Sequence, residues 1–288
     1  MRERMLWIAS LIVIVSLALA GCAPAAEPTE APQPEEPAAP AATEAPAPAE
    51  PEPEEPAAGG TITIGLQQEP PTMDPHASPS AITFYMMSSV GETLLYLNGD
   101  REFEPWLAER WEINDDATEY TFYLRDDVTF QDGTPFNAEA VKWNFDRIVD
   151  PNFSAGGALS ALEGYYETEV VDEYTAIVKF ESSFMPFITY AAGGTLAMLS
   201  PTATEAQGDM VNDTPVTSGP YKVTEYDAKS QIVIERWDDY GRTPPWSDGE
   251  GPGYLDTIIF KIIPESGTRV ATVESGETQV ISEVPFQD

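Results

Sequence analysis

Apolar and polar residues alternate most clearly between Thr118 and Asp150. The first part of this stretch has a period of two, which predicts a half-buried strand with these side chains on one face: Tyr120, Phe122 and Leu124. A second short strand is predicted at 128–130. A helix is predicted next, because Asn137 can cap its first turn and apolar residues then recur at helical spacing, namely Val141, Phe145 and Ile148.

The same two periods predict further elements along the chain. Strands are expected at 60–66, 168–171, 176–180, 221–226 and 231–236. A near-continuous run of β-branched residues predicts a buried strand at 255–264. Helices are expected at 82–95, 186–190 and 268–273. Both strands and helices are therefore predicted along the chain.

The first 22 residues have the pattern of a targeting segment. Arg2 and Arg4 precede an apolar run from Leu6 to Leu19, which is shorter than the roughly 20 residues that a membrane-spanning helix needs. The run ends in Leu-Ala-Gly-Cys22, which resembles a lipobox; a plain secretory signal is the alternative. Because Cys22 is the only cysteine, no disulfide can form within the chain. We expect a lipoprotein signal peptide at 1–22 and lipidation of Cys22.

Residues 23–59 are a low-complexity segment of alanine, proline and glutamate. The segment contains nine glutamates and no lysine, arginine or aromatic residue. Such a composition cannot bury enough apolar surface to offset the entropy lost on ordering. We therefore expect a disordered, extended tether between a lipid anchor and a folded part.

The charge of the chain restricts its partners. The formal net charge is −35 at pH 7, so nucleic acid and anionic lipid would repel it, and we expect no nucleic-acid partner. His76 is the only histidine, and no cluster of ligands or catalytic motif accompanies it in the sequence. We therefore expect a loop histidine, with no catalytic residue, metal site or cofactor.

Four separate motifs carry a resemblance to a known family. They occur in this order: Glu69-Pro70 followed by Met73-Asp74-Pro75; Pro105 to Trp111, of pattern P-x-Leu-Ala-x-x-Trp; Tyr120 to Ala140, which includes Asp132-Gly133-Thr134-Pro135-Phe136; and Thr217-Ser218-Gly219-Pro220-Tyr221. Together they resemble the bacterial extracellular solute-binding proteins of family 5. These are the binding components of ABC importers for oligopeptides, dipeptides, nickel chelates and some saccharides. Thr217-Ser218 departs from the family's Gly-Thr, and Asp238 stands where asparagine is usual.

The resemblance implies an α/β fold, the periplasmic-binding-protein-like type II clamshell. It places 60–91 and 179–288 in the first lobe and 92–178 in a small inserted α+β subdomain. Family members are usually much longer than this chain. We therefore expect an N-terminal portion, with an incomplete first lobe and the second lobe largely missing, so that most of the ligand cleft is absent.

The resemblance also implies a function without catalysis. It is that of a lipid-anchored, extracytoplasmic substrate-binding component at the cell membrane, which captures oligopeptides, dipeptides or a similar solute for ABC permease and ATPase subunits. In the family, the segment after the Asp-Pro motif lies along the ligand cleft. The candidate ligand-binding residues are therefore Ser78, Pro79, Ser80, Ala81, Ile82 and Thr83.

Other functions remain open at the level of sequence. An extracellular carbohydrate-active enzyme could use paired carboxylates as acid and base. The available pairs, Asp115-Asp116, Asp126-Asp127 and Asp238-Asp239, are predicted in turns, where solvated carboxylates are ordinary. A saccharide-binding receptor on the same fold and a surface scaffold or sensor are further alternatives.

Overall fold

The structure is a computed structural model that describes residues 59–247, 251 and 253–284. The predicted signal peptide, with Cys22, lies outside the described residues, as does the predicted tether up to residue 58. Among the residues that are described, no helix combines the length and the apolar character needed to cross a bilayer.

The described residues form strands, α-helices and short 3-10 helices. In chain order, the strands are β1 (Thr61–Leu66), β2 (Leu95–Leu97), β3 (Phe103–Pro105), β4 (Ala108–Ile113), β5 (Glu119–Leu124), β6 (Tyr165–Asp172), β7 (Thr175–Phe180), β8 (Tyr221–Asp227), β9 (Gln231–Arg236), β10 (Thr257–Ile262) and β11 (Val280–Ile281). The α-helices are α1 (Ala81–Met87), α2 (Ala138–Val149), α3 (Ala158–Ala161), α4 (Phe187–Tyr190), α5 (Pro201–Gln207) and α6 (Ser266–Glu274). The 3-10 helices occupy Gly194–Leu196 and Gly208–Asn212.

A mixed sheet joins the two ends of the described chain, with strand order β11-β1-β10-β9-β8. β1 is parallel to β10 and to β11, whereas β9 is antiparallel to β10 and to β8. The register runs from Thr61 opposite Thr257 to Leu66 opposite Ile262. The predicted opening strand and the hairpin of β8 and β9 are confirmed. Helix α1 packs on this sheet through Met86 and Met87, which join an apolar cluster with Ile64 and Leu66.

The strand predicted at 255–264 is present as β10, but the prediction that it is buried is wrong. Within β10 only Phe260 is buried, at 3% exposure, and the other positions are half-buried. Phe260 packs into the apolar cluster on one face of the sheet, with Ile258 and Ile262 at its margin. Lys261 instead forms an ion pair with Glu277. A β-branched run therefore marked a strand that is covered mainly on one face.

An antiparallel sheet forms the second layer of strands, in the order β4-β5-β7-β6. Tyr120, Phe122 and Leu124 of β5 are buried, as their alternation predicts. Helix α2 packs against β6 and β7. Its Asn137 cap accepts a hydrogen bond from the amide of Ala140 at 3.0 Å, which confirms the predicted helix start. The predicted hairpin of β6 and β7 and the helices near 187 and 268 are also confirmed.

The predicted second strand at 128–130 is wrong. This segment forms an isolated bridge between Thr129 and Pro135. The amide of Phe130 donates to the carbonyl of Thr134 at 2.8 Å, so the chain reverses within a few residues around Gly133. Gly133 has a φ of 84°, which glycine adopts at little cost. The turn therefore closes before a strand ladder can extend.

This turn docks onto the Thr-Ser-Gly-Pro-Tyr motif. The amide of Gln131 donates to the carbonyl of Thr217 at 2.8 Å. The Gln131 side chain donates to the carbonyls of Gly219 and Tyr221 at 3.0 and 2.8 Å. Two of the sequence motifs that are 86 residues apart in the chain are thus joined by hydrogen bonds. These motifs build the framework of the fold.

The helix predicted at 82–95 ends early, at Met87. The amides of Val90 and Gly91 both donate to the carbonyl of Met87, which closes the helix. The hydroxyl of Thr217 then donates to the carbonyl of Val90 at 2.5 Å. A contact from far along the chain therefore replaces the next helical hydrogen bond, and the chain goes on to β2.

The division into a first lobe and an inserted subdomain stays a prediction. The apolar cluster of the antiparallel sheet includes Phe180, Phe187, Ile188 and Met198. This cluster therefore continues past residue 178, where the inserted subdomain was expected to end.

We expect Gly219→Ala to destabilise the fold by about 1–3 kcal/mol, because a methyl group there would overlap the carbonyl of Val90. Gly241→Ala is the matched control, because a Cβ at Gly241 has no atom within 4 Å. The control should change stability by less than about 0.5 kcal/mol. Urea unfolding of both variants measures the difference, and equal midpoints would contradict this packing.

Candidate functional site

The carboxyl ends of β1, β10 and β11 lie at one edge of the mixed sheet, because these strands are parallel. The chain leaves β1 at this edge and enters the loop that leads to α1. In open α/β sheets, ligands bind outside the carboxyl ends of the strands. This edge is therefore the candidate ligand site.

A cavity of about 250 Å³ opens at this edge. We call it the edge cavity. The ring of Tyr85, which is 54% exposed, stands at right angles to Phe260 with centroids 6.3 Å apart. The lining combines apolar and polar groups: Leu66, Gln67, Ala81, Ile82, Tyr85, Ser282 and Glu283. The cavity can therefore offer an aromatic face together with amide, hydroxyl and carboxylate oxygens.

The six predicted ligand-binding residues occupy different environments. Ala81 and Ile82 line the edge cavity. Pro79 is exposed, and Ser80 caps α1 by accepting a hydrogen bond from the amide of Ile82 at 3.3 Å. The structure thus brings Ala81 and Ile82 to the cavity, and ligand binding by any of the six stays a prediction.

Ser78 and Thr83 are fully buried and hold the turn before α1. The hydroxyl of Ser78 donates to that of Thr83 at 2.7 Å, and Thr83 donates in turn to the carbonyl of Thr72 at 2.7 Å. Both hydroxyl protons are therefore engaged within the protein. In this conformation the two side chains support the position of Ala81 and Ile82.

A buried charged cluster clamps the loop before α1. Asp74 is 1% exposed and accepts a hydrogen bond from Arg147 of α2 at 2.6 Å. The guanidinium of Arg147 also lies 3.9 Å from the ring centroid of Phe153. A buried carboxylate needs such a partner, since an unpaired charge in the interior is costly. The loop is thereby tied to the helix of the other sheet.

His76 completes this cluster in its neutral form. Nδ1 of His76 lies 2.9 Å from Nη1 of Arg147, and Nε2 lies 3.0 Å from the carbonyl oxygen of Ala197. Because arginine can only donate, Nδ1 accepts and Nε2 donates. Burial lowers the pKa of His76 from 6.5 to about 4; Asp74 opposes this shift and Arg147 adds to it. His76 is a loop histidine, as predicted, but one that is fully buried.

Sequence reasoning missed the loop that packs against this segment. The amide of Gly156 donates to the carbonyl of His76 at 3.0 Å, and the amide of Gly157 donates to that of Ser78 at 3.4 Å. A Cβ at Gly156 would overlap the backbone of Ala77. The Gly-Gly pair was the available signal, since glycine permits close backbone approach. Nothing local in the sequence linked it to His76.

Within the described ranges, no three His, Cys, Asp or Glu side chains are grouped so that they could hold a metal ion. The paired aspartates 115–116, 126–127 and 238–239 lie in turns or bends, as predicted. Asp127 is held by Arg125 at 2.6 Å, and this contact lowers the pKa of Asp127. Such a carboxylate is already paired.

Comparison with known proteins assigns the chain to a family. The profile of "Bacterial extracellular solute-binding proteins, family 5 Middle" matches residues 102–288, which is more than half of the chain. The chain belongs to this family. The resemblance inferred from the four motifs is therefore confirmed.

Curated relatives of family 5 include glutathione-binding proteins named GsiB. The protein from Shigella flexneri is 30% identical over 216 residues, which are 75% of this chain and 41% of that relative. The protein from Salmonella typhi is 31% identical over the same shares. The chain thus spans less than half the length of these relatives.

Solved structures confirm the predicted fold class. AgaA from A.tumefacien R10, solved with agropinic acid, has a TM-score of 0.70 and 28% identity, covering 78% of this chain and 44% of that one. HbpA2 from Haemophilus parasuis has a TM-score of 0.68 and 29% identity, covering 80% and 48%. DppA from Helicobacter pylori, solved with the peptide STSA, shares the fold with a TM-score of 0.70 and 24% identity, covering 79% and 47%. The chain has part of the type II periplasmic-binding-protein fold.

We expect the protein to lose stability as the pH falls, because of His76. Unfolded histidine binds a proton below its ordinary pKa of 6.5, whereas folded His76 resists protonation down to about 4. Stability from this group is therefore complete above pH 6.5 and is lost as the pH falls towards 4, by about 3 kcal/mol in all.

The measurement compares the wild type with His76→Gln, which cannot titrate at this position. As the pH falls from 6.5 to 4, the free energy of unfolding of the wild type should decrease relative to that of the variant. All other titrations are common to both proteins. A difference that stays constant with pH would show that folding does not lower the pKa of His76.

Proposed function

We propose that this chain is the solute-recognising part of an ABC importer's binding protein and that it holds a short peptide or peptide-like solute at the edge cavity. The observation that carries the proposal is the presence of an open, mixed apolar and polar cavity at the carboxyl edge of the sheet in a family 5 chain. The names of relatives that bind glutathione are consistent with a small peptide-like ligand.

The lining of the edge cavity suits such a ligand. Ile82 and the exposed ring of Tyr85 provide an apolar surface for a side chain. Gln67, Ser282 and Glu283 provide groups that can bond to amides or to an amino group. No covalent bond has to form or break for this function, so we propose that the protein acts by binding alone.

Affinity would come from closure of a clamshell around the solute. Two-lobed binding proteins bury ligand between lobes that move about a hinge. The edge cavity is open on one side, so we propose that another lobe of the whole protein covers it. In the proposed cycle, the closed form presents solute to ABC permease and ATPase subunits.

We further propose that the protein is extracytoplasmic and lipid-anchored through Cys22. The support is the Leu-Ala-Gly-Cys sequence after a short apolar run, followed by the Ala/Pro/Glu segment. A diacylated cysteine followed by an extended tether would hold the folded part near the membrane while leaving it free to meet solute.

Peptide binding is tested by thermal shift of the full-length gene product with a pool of short peptides that includes glutathione. A ligand at 100 times its dissociation constant should add about 2.7 kcal/mol of stability. Ala81→Trp should need at least ten times more ligand to reach the same shift, because the indole would occupy the edge cavity.

The matched control is Ala206→Trp. Ala206 is also an exposed alanine in a helix of 7 residues, but it lies outside the edge cavity. The control should bind as the wild type does. Loss of binding in both variants, or in neither, would place the ligand elsewhere, and a shift with oligosaccharides alone would change the proposed ligand class.

Lipid anchoring is tested by expressing the full chain in bacteria with a labelled fatty acid. The wild type should incorporate label and sediment with membranes. Cys22→Ser should do neither, since it removes the only thiol of the chain. Ala23→Ser keeps the cysteine and should behave as the wild type; label retained by Cys22→Ser would reject the anchor.

A further inference from the structure

A second cavity, of about 350 Å³, lies beside the other face of α1 and shares no lining residue with the edge cavity. We call it the aromatic pocket. Its side chains are mostly aromatic or apolar. The lining includes Phe84, Met87, Tyr96, Trp106, Gly194 and Trp246. Its volume lies at the lower end of the range for small-molecule sites. It suits a single ring better than an extended peptide.

The rings of the pocket meet at steep angles. Trp106 and Trp246 have centroids 4.6 Å apart at 77°, and Tyr96 lies 6.0 Å from Trp106 at 90°. The ring centroid of Tyr96 also lies 5.8 Å from that of Trp246, at a shallower angle of 49°. Trp246 remains 40% exposed although it is a large apolar residue. The exposed part of Trp246 therefore offers aromatic surface on which another flat group can pack.

The position of Trp106 is fixed from behind by a buried carboxylate. Glu92 has no exposed surface and accepts the indole N–H of Trp106 at 2.9 Å. It also accepts hydrogen bonds from the hydroxyl of Tyr240 at 2.7 Å and from the guanidinium of Arg242 at 2.5 Å. Burial raises the pKa of Tyr240, so its hydroxyl stays a donor. A ring held this way is ordered before any ligand arrives, which lowers the entropy lost on binding.

The lining carries no Asp, Glu, Lys or Arg among its described residues. An ionised ligand would lose hydration in the pocket without finding a counter-charge. The polar side-chain groups of the lining include the hydroxyls of Ser88, Ser89, Thr93 and Tyr96. Ser88 and Thr93 donate to the carbonyls of Tyr85 and Leu95, so their oxygens are left as acceptors.

We propose that the aromatic pocket is a second ligand site, which binds an uncharged ring that stacks on Trp246 and donates hydrogen bonds to the pocket hydroxyls. A sugar ring and an aromatic ring with a polar substituent share this chemistry. The site is separate from the edge cavity, so it does not depend on the proposed capture of peptides there.

The experiment uses the full chain and ligand-observed saturation-transfer NMR. The neutral probes are methyl β-D-glucopyranoside and N-acetyltyrosinamide, which distinguish the two sources of the ring. Tyramine and benzoate are the charged counterparts. At least one neutral probe should bind saturably, and the charged probes should bind at least fivefold more weakly.

Two variants place the binding in the pocket. Trp246→Ala removes the exposed ring and should weaken binding five- to tenfold. Gly194→Leu should block the pocket by filling it, because a Cβ there meets only Phe84, at an ordinary contact distance of 3.7 Å. The control is Trp143→Ala, which removes a half-buried tryptophan from another cavity and should leave binding unchanged.

Melting curves of all variants check that each is folded. Binding of either neutral probe that is lost in Trp246→Ala and Gly194→Leu but kept in Trp143→Ala supports the site. The proposal is overturned if no neutral probe binds saturably, if folded Trp246→Ala binds as tightly as the wild type, or if the charged probes bind equally well.

Discussion

The parallel pairing of β1 with β10 on one side and with β11 on the other is the constraint on which the candidate site depends. Hydrogen bonds beside these two ladders join residues that lie 196 and 216 positions apart in the chain. Parallel strands end at the same edge, so the ladder between β1 and β11 brings Gln67 beside Ser282 and Glu283, which follow β11. Without it, the helix that carries Ala81 and Ile82 would have no opposite wall, and the edge cavity would not exist.

Buried carboxylates fix the positions of loops that strand pairing alone does not determine. Asp74 ties the loop after β1 to Arg147 on the helix of the antiparallel sheet, and Glu92, just before β2, pairs with Arg242 in the loop after β9. Each ion pair removes two charges from water, so its net contribution to stability is small, whereas loss of one partner is costly. These pairs therefore specify the arrangement of the loops more than they add stability.

The motifs that identify the family form the framework of the fold. Gln131 binds the backbone of the Thr-Ser-Gly-Pro-Tyr motif, Thr217 binds the carbonyl of Val90 just beyond α1, and Asp74 of the Asp-Pro motif is buried. The residues that face the edge cavity are by contrast ordinary ones, such as Ala81 and Ile82. This separation explains why the sequence identifies the family more readily than the ligand.

The sequence by itself determined β5, α2 with its Asn137 cap, the two long hairpins and the family, because these depend on hydrogen bonds and side-chain spacings within a few residues. The tertiary structure decided which group binds the carbonyl of Val90 beyond α1, how far β10 is covered, and that His76 is neutral and buried. Each of these depends on a group from a distant part of the chain: Thr217, the face of the sheet, or Arg147 and Ala197. Local periodicity cannot encode such contacts, since they exist only once the two sheets and their loops have packed.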